Sequence, residues 1–294
     1  MKDVKPIIKA SHKGEILYKK DPMEFLFEQE LAVQVGNGLF VTKGFLVEIL
    51  NKIENLICEI AKKVGAEFVS VPCLLSMGNV KKSNYLDSFK NQALMIHSFE
   101  NEKCEGMCSP TVCYHYFGSL ADKQMKKNHA VSALGKCTRK EEGELNNFAR
   151  LTNFTMREII FLGTEEYCQK KKDEVLKLTQ EMLDGVFDLT YDITTASDPF
   201  FGDNSQLKQK SQLVSESKYE LQALLPYSNK TSSVGSFNLH GKVFYDRFNI
   251  SSKEPELTFS GCVGWGYERL LYSILSQKGT DFSSPYYKKL CKSC

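Results

Sequence analysis

The residues whose side chains could take part in binding or catalysis lie in a few short segments, and one of these segments runs from Gly261 to Leu271. It reads GCVGWGYERLL and runs from a cysteine through two spaced glycines to an arginine. The preceding LTFSGCVGW is typical of a strand, and the apolar residues that follow have helical spacing: Tyr267, Leu270, Leu271, Ile274 and Leu275. Gly264 and Gly266 therefore lie at a strand-to-helix turn, without side chains to keep a ligand away, and Arg269 lies in the helix's first turn. This strand-to-helix turn therefore predicts a binding site.

A carboxylate stands in an otherwise apolar row of the segment NFTMREIIFLG. Strand side chains alternate between faces, so Glu158 shares a face with four apolar residues: Phe154, Met156, Ile160 and Leu162. An unpaired buried carboxylate costs several kcal/mol or takes up a proton. Glu158 therefore needs a metal, a substrate ammonium or an arginine. A structural ion pair with a neighbouring arginine remains an alternative.

The segment KCTRKEE carries a second charged pattern. If Lys136 to Glu142 is extended, Cys137, Arg139 and Glu141 share one face. An arginine and a glutamate two residues apart could bind a ligand together, the arginine through a phosphate and the glutamate through an amine or an adenine edge. The alternative is a surface strand with a local ion pair.

Ten cysteines in a chain without a secretion signal indicate reduced thiols or metal ligands more than a disulfide framework. Cys113 is predicted near the start of a short helix that opens at Ser109-Pro110, where the helix dipole favours the zinc-binding thiolate form. The alternative is a cysteine packed in the core. By spacing alone, Cys104-x3-Cys108 and Cys291-x2-Cys294 form rival metal-ligand pairs.

The elements that must position these residues follow from periodicity and end signals. Further helices are predicted from an Asp21 N-cap, from about Lys43 to Val64, and from Thr164 to Leu183, where Gly185 ends the helix. Strands are predicted in EFVSVPCLL, with Pro72 favouring an edge, in HAVSALGKCTRKEE, NFTMREIIFLG, KYELQALLP, GSFNLHGKVFYD and ELTFSGCVGW. Helices followed by mostly consecutive strands predict an α+β fold with a largely antiparallel sheet flanked by helices.

Composition narrows the class of protein. The chain has 294 residues, 42% of them hydrophobic, and a net charge of +2, which does not favour a nucleic-acid partner. No segment has the roughly 18 apolar residues of a membrane span, and the first residues do not have the pattern of a signal peptide. We expect a cytoplasmic protein without a membrane partner and, because no linker stands out, a single domain over residues 1–294.

Taken together, CTRKEE, FTMREIIFLG and GCVGWGYERLL resemble motifs 2 and 3 of class II aminoacyl-tRNA synthetases. Five further segments are similar, in family order, to the truncated, atypical seryl-type homologues that act as amino acid:[carrier protein] ligases: NYLDSF, SPTVCYHYF, SDPFFG (Ser197 to Gly202), YELQALLP and GSFNLHGKVF. The resemblance covers roughly residues 20 to 280 and implies the catalytic-core fold of that class.

The resemblance implies a role for each matching residue. Cys113, Glu158 and Cys262 match the family's three ligands to one zinc ion, which leaves a position for the amino group of a small amino acid (glycine, alanine or serine). The positions that match ATP contacts, with Mg²⁺ bound to the nucleotide, are Arg139 on the α-phosphate, Glu141 beside adenine, Arg150 and Leu151 in the closing loop, Ser233 through its main chain, and Arg269 stacked on adenine. Gly264 and Gly266 would admit the adenine ring. Thr138 and a longer loop after Glu141 depart from the family pattern.

The implied activity is that of a ligase. It activates the amino acid as an aminoacyl adenylate and transfers it to the phosphopantetheine thiol of a carrier protein; a homodimer is also implied. We expect no tRNA partner, because the part that matches the catalytic core begins near Asp21 and leaves no room before it for a tRNA-binding domain. The Lys-rich helix Gln169 to Lys177 could dock an acidic carrier protein, or could simply be a solvated face. A tRNA-charging enzyme that uses a partner and a catalytically inactive, synthetase-like regulator remain alternatives.

Overall fold

The structure is a computed structural model, and it describes residues 6–100, 102–198, 209, 212–213 and 215–292. Its strands are β1 Ile8–His12, β2 Ala32–Gly36, β3 Leu39–Thr42, β4 Glu67–Ser70, β5 Leu74–Ser76, β6 Met95–His97, β7 Cys104–Cys108, β8 Gln124–Met125, β9 His129–Thr138, β10 Asn153–Gly163, β11 Tyr191–Thr195, β12 Lys218–Leu225, β13 Lys230–Gly241, β14 Ser251–Ser252 and β15 Phe259–Gly266. Its helices are α1 Pro22–Glu28, α2 Phe45–Lys63, α3 Met77–Ser83, α4 Leu86–Phe89, α5 Cys113–Ser119, α6 Glu165–Met182, α7 Val243–Phe248, α8 Tyr267–Lys278 and α9 Pro285–Lys292.

One large sheet organises the described residues. Its strand order is β1-β11-β12-β13-β15-β10-β9-β4, and every neighbouring pair is antiparallel except β4 and β9, which are parallel. Helices cover the sheet, so the predicted α+β class is confirmed. Pro72 interrupts EFVSVPCLL between β4 and β5, and β4 lies at the edge of the sheet as expected.

The longer helices pack on one face of this sheet. The apolar stripe of α2 is buried, and α8 lies against β10, β12, β13 and α2. Alternation along β10 sends Ile159 and Phe161 into this core. The Asp21 side chain accepts a hydrogen bond from the Met23 amide at the start of α1, and Thr164 caps α6 through the Tyr167 amide, as the sequence predicts.

Shorter elements cover the opposite face. A three-stranded sheet in the order β5-β7-β6, together with α3, α5 and α7, encloses a second apolar cluster. Ile160 and Leu162 of β10 enter this cluster, next to the cysteines of α5 and β15. The residues that carry the chemistry therefore lie between the sheet and its thinner cover.

Three predicted boundaries are wrong. Strand β9 ends at Thr138, so the alternation argument does not reach Arg139 or Glu141. Strand β13 ends at Gly241, whose φ of +59° turns the chain into helix α7, where a strand was expected through VFYD. Helix α6 does not end at Gly185, because the chain continues through it in a π-helical turn, Leu183–Phe187.

Among the helices of the described residues, none has the length and apolar character that crossing a membrane requires.

Candidate active site

A cavity of about 280 Å³ opens over the face of the sheet that the shorter elements cover. Strands β10, β12, β13 and β15 form its floor, and α5 and the segment before it form part of its wall. Both predicted groups reach it, since the two cysteines and Glu158 line the cavity together with Arg139 and Arg269. The cavity thus joins a candidate metal centre to a cationic end.

The structure brings Cys113, Glu158 and Cys262 together. Their ligand atoms, two sulfurs and a carboxylate oxygen, all lie within 4.8 Å of one another, and all three side chains are buried. Antiparallel register explains two of the positions: Glu158 pairs with Gly264 and Ile160 pairs with Cys262, so the carboxylate and the Cys262 sulfur are diagonal neighbours on one face. Cys113 is the first residue of α5, which lies above that face.

The donor set fits a divalent cation. Glu158 Oε1 accepts a hydrogen bond of 2.5 Å from the Thr111 hydroxyl, whereas Oε2 is buried without a hydrogen-bond partner. Burial, and next the negative charge on Cys262, raises the pKa of Glu158 to about 8. A carboxyl group in this position is satisfied by a proton or by a cation. Two sulfurs and one oxygen are ligands that zinc accepts in sites that keep an open position.

The two thiols influence each other. A hydrogen bond from Cys113 lowers the pKa of Cys262, and contacts with His240 and Asn238 lower it further. The same contact with Cys262, together with burial, raises the pKa of Cys113 well above its ordinary value. One thiol therefore takes the thiolate form ahead of the other, and thiolate is the form that binds metal.

Two further residues contact the cluster and were not singled out from the sequence. His240 Nε2 lies 3.4 Å from the Cys262 sulfur, and Asn238 Nδ2 donates to that sulfur over 3.7 Å. Both lie in the quoted segment GSFNLHGKVF, but they become neighbours of Cys262 only through the pairing of β13 with β15. A pattern within one segment carries no signal for such a contact.

Arg139 and Arg269 form the cationic end. Arg139 Nε donates to the Pro110 carbonyl oxygen over 2.9 Å, and its guanidinium lies 5.3 Å from the centre of the Phe154 ring. Arg269 Nη1 donates to the Ser233 carbonyl oxygen over 3.2 Å. Burial lowers the pKa of Arg269, and the charge of Arg139 lowers it further. Two guanidinium groups at one cavity can bind an anion, and the charges of Glu141 and Glu220 offset only part of the positive charge there.

The remaining predicted nucleotide residues divide into two groups. Leu151 and Ser233 line the cavity with the two arginines, and Arg150 lines an adjoining groove that Ser233 and Arg269 share. Glu141 is not among the residues that line either space; its carboxylate accepts from Arg150, with Nε at 3.1 Å. The structure thus pairs Glu141 with Arg150, and its place beside adenine stays a prediction.

Gly264 and Gly266 differ in what surrounds them. A Cβ atom on Gly264 would lie 3.2 Å from Glu158 Cγ and 3.5 Å from Met156 Sδ, so this glycine leaves room for the carboxylate. At Gly266 the nearest atom would be Arg269 Cδ, at an ordinary contact distance of 3.7 Å. Both glycines line the cavity, and the expectation that they admit a ring stays a prediction.

The rival ligand pairs and the Lys-rich helix receive less support. Cys104 and Cys108 occupy opposite ends of β7, which separates them by roughly 13 Å at the rise of a strand, too far for one ion. Cys294 lies outside the described residues, as do residues 199–202 of SDPFFG. On α6, Lys171 donates to the Val64 carbonyl oxygen and Lys172 lies over the Tyr219 ring, so neither extends freely into solvent.

Comparison with known proteins gives relatives of two kinds. No protein-family model matches the chain. Amino acid--[acyl-carrier-protein] ligase 1 of Bradyrhizobium diazoefficiens is 25% identical over 288 residues, which cover 90% of this chain and 87% of that protein. The type-2 serine--tRNA ligase of Methanopyrus kandleri is 22% identical over 321 residues, which cover 91% of this chain but 60% of that enzyme.

Solved structures show the same fold. The M. kandleri SerRS, in complex with A. aeolicus tRNASec, superposes with a TM-score of 0.85 and 18% identity, over 99% of this chain and 64% of that one. The cytoplasmic serine–tRNA ligase of Naegleria fowleri, in complex with AMP, gives a TM-score of 0.74 with 14% identity, over 97% of this chain and 72% of that one. The fold is therefore that of the class II seryl-tRNA synthetases, as the sequence predicts.

Proposed function

We propose that this chain, which is a ligase of the class II seryl-tRNA synthetase type, activates a small amino acid with ATP and passes it to the phosphopantetheine thiol of a carrier protein. One observation carries the proposal. A single cavity holds the Cys113–Glu158–Cys262 cluster at one end and Arg139 with Arg269 at the other. Each end suits one reactant of an adenylate-forming reaction.

The cluster end would receive the amino acid. A bound zinc ion would supply a Lewis-acid position for the amino group, since three protein ligands leave the fourth position open. Cys113, Glu158 and Cys262 would hold the ion, and Thr111 would fix Glu158 through its hydroxyl. Thr111, Met156 and Asn238 line the cavity with the cluster and would restrict the bulk next to the amino group to a small side chain such as that of glycine, alanine or serine.

The cationic end would receive Mg·ATP. Arg139 and Arg269 face the same cavity and would offset the charge that gathers on the α-phosphate oxygens when the amino acid carboxylate attacks. Pyrophosphate leaves and an aminoacyl adenylate forms. Because both ends border one cavity over the same sheet, the two reactants would be held close together, and such positioning can contribute about 7–11 kcal/mol to lowering a barrier.

The lengths of the matches to the two kinds of relative support a carrier protein as the acceptor. The Bradyrhizobium relative, whose name specifies an acyl-carrier protein, matches along most of its length, whereas the chain spans about 60% of the serine–tRNA ligase. In the transfer step the acceptor thiol attacks the adenylate carbonyl carbon and AMP leaves. Transfer to tRNA is the competing outcome.

The test has two stages. We expect ATP–pyrophosphate exchange that depends on one small amino acid out of the twenty and that is lost after chelation and restored by zinc. A radiolabelled amino acid should then label a phosphopantetheinylated carrier protein, but neither the same carrier without its prosthetic group nor tRNA. No exchange with any amino acid would overturn the proposal, and labelled tRNA with an unlabelled carrier would overturn the choice of acceptor.

A further inference from the structure

His240 lies at a break in the pairing of β13 with β15. Asn238 pairs with Cys262 and Leu239 with Gly261, but the next pair joins Gly241 to Ser260. His240 is therefore the extra residue of a β-bulge, a feature that re-aims a side chain and is frequent next to active sites. The bulge brings its ring to the sulfur of Cys262.

The contacts of the ring define its hydrogen-bonding direction. Nδ1 lies 3.3 Å from the Ser260 hydroxyl oxygen, and Nε2 lies 3.4 Å from the Cys262 sulfur. A thiolate can only accept, so Nε2 carries the proton and the Ser260 hydroxyl donates to Nδ1. The ring is also held by edge contacts with Phe244, at 4.7 Å between centres, and with Phe117, at 6.0 Å.

His240 is not itself part of the ligand group. The potential ligand atoms that all lie within 4.8 Å of one another belong to Cys113, Glu158 and Cys262, and neither nitrogen of His240 joins them. His240 instead contacts one of the proposed ligands, Cys262. Two thiolates and a carboxylate carry one negative charge more than a divalent cation offsets, and in a buried site this excess is costly without hydrogen-bond donors.

We propose that His240 is a positioning residue that donates a hydrogen bond to the Cys262 thiolate and thereby orients this ligand and reduces its excess charge. The inference rests on the metal centre of the proposed function. Asn238 assists from the same strand, but its amide nitrogen lies 3.7 Å from the Cys262 sulfur, farther than His240 Nε2 at 3.4 Å. Residues outside the ligand sphere of metal sites commonly change metal affinity about 10- to 100-fold when they are replaced.

Cobalt substitution tests the proposal without any assay of activity. The full chain is loaded with Co²⁺, and its thiolate-to-cobalt charge-transfer band and its Co²⁺ affinity are measured for wild type, H240A and H240Q. We expect H240A to move the band to longer wavelength, because the sulfur lone pairs rise in energy without the donor, and to weaken binding about 10- to 100-fold. H240Q, whose amide can donate, should recover most of both changes.

A matched control comes from another half-buried histidine. His129 bonds the Tyr116 hydroxyl over 2.7 Å, away from the cluster, and H129A should leave band and affinity unchanged. A wild-type band in H240A, or the same shift in H129A, would overturn the proposal. Absence of a thiolate band in the wild type would overturn it together with the metal centre, whereas loss of pyrophosphate exchange alone would leave the band, and the inference, intact.

Discussion

Arg157 and Glu158 are neighbours on β10, and the two faces of that strand treat them differently. Arg157 points toward α2, where its Nε donates to Glu54 over 3.0 Å and its Nη1 donates to Ser132 over 3.0 Å. The Tyr267 hydroxyl completes the group by donating to Glu54. On the opposite face, Glu158 has one oxygen bonded to Thr111 and one buried oxygen without a partner.

The difference separates a carboxylate that is paired inside the protein from a candidate metal ligand. Burial acts to raise the pKa of Glu54, but hydrogen bonds from Arg157 and Tyr267 outweigh it and hold that pKa below its ordinary value. Burial raises the pKa of Glu158 to about 8, and its hydrogen bond from Thr111 does not compensate. The carboxylate of Glu54 is fully paired within the protein, whereas that of Glu158 is left to a proton or a bound cation.

The largest expected effect comes from removing a proposed ligand. Cys262→Ser should reduce the zinc content from one ion per chain to near zero and abolish amino acid activation with it, which elemental analysis and pyrophosphate exchange would measure. Cys168, fully buried in the other core, gives the control, because Cys168→Ala should keep the metal. Full zinc content in Cys262→Ser would move the metal to other cysteines.

Removing a positively charged side chain from the cationic end of the cavity should lower catalysis without changing the zinc content. Arg269→Ala should lower the kcat of pyrophosphate exchange about 10²- to 10³-fold, the usual cost of losing one group that stabilises transition-state charge. Zinc content should stay near one per chain, because Arg269 contacts Ser233 and not the cluster. Loss of zinc in this variant would show that the two ends of the cavity are not separable.

For the ion pair between Glu54 and Arg157 we expect the opposite pattern, a loss of stability without a loss of zinc. Glu54→Gln leaves the buried Arg157 without its ionic partner and should lower the free energy of unfolding by about 3 kcal/mol in urea titrations. Its zinc content should be unchanged, whereas Glu158→Gln should lose zinc. If both variants lost metal to the same degree, the two faces of β10 would not be distinct.

The last prediction is a pH dependence of the stability of the chelated protein. The pKa of Glu158 rises from 4.5 in the unfolded chain to about 8 in the metal-free fold, so the folded state holds the proton more tightly between these values. The contribution of this group to stability is complete below pH 4.5 and is lost as pH rises through about 8. The Tm of chelated protein should fall over this range, and Glu158→Gln, which carries no titrating proton, should remove that fall.

Local patterns predict the parts of the molecule that depend on a single element. The apolar stripe of α2, the Asp21 cap and the alternation that turns Glu158 away from Arg157 are all read from neighbouring residues, and the structure confirms them. The α+β class follows from the order of such elements. These features need no knowledge of distant contacts.

Features that depend on distant parts of the chain escaped prediction. The ion pair of Arg150 with Glu141 joins two ends of one loop, and the bulge at His240 is defined only by the partner strand. Thr111 reaches Glu158 from a segment 47 residues away. Residue types alone do not fix register or loop closure, so the contacts around the cluster became visible only in three dimensions.

X-ray absorption at the zinc edge tests the metal centre most directly. In the zinc-loaded chain we expect two sulfur neighbours at about 2.3 Å, from Cys113 and Cys262, and oxygen or nitrogen neighbours at about 2.0–2.2 Å, which include Glu158 and an exchangeable ligand. Addition of the activated amino acid should change only the oxygen and nitrogen shell. A shell of four sulfurs, or one without sulfur, would contradict the assignment of these three residues.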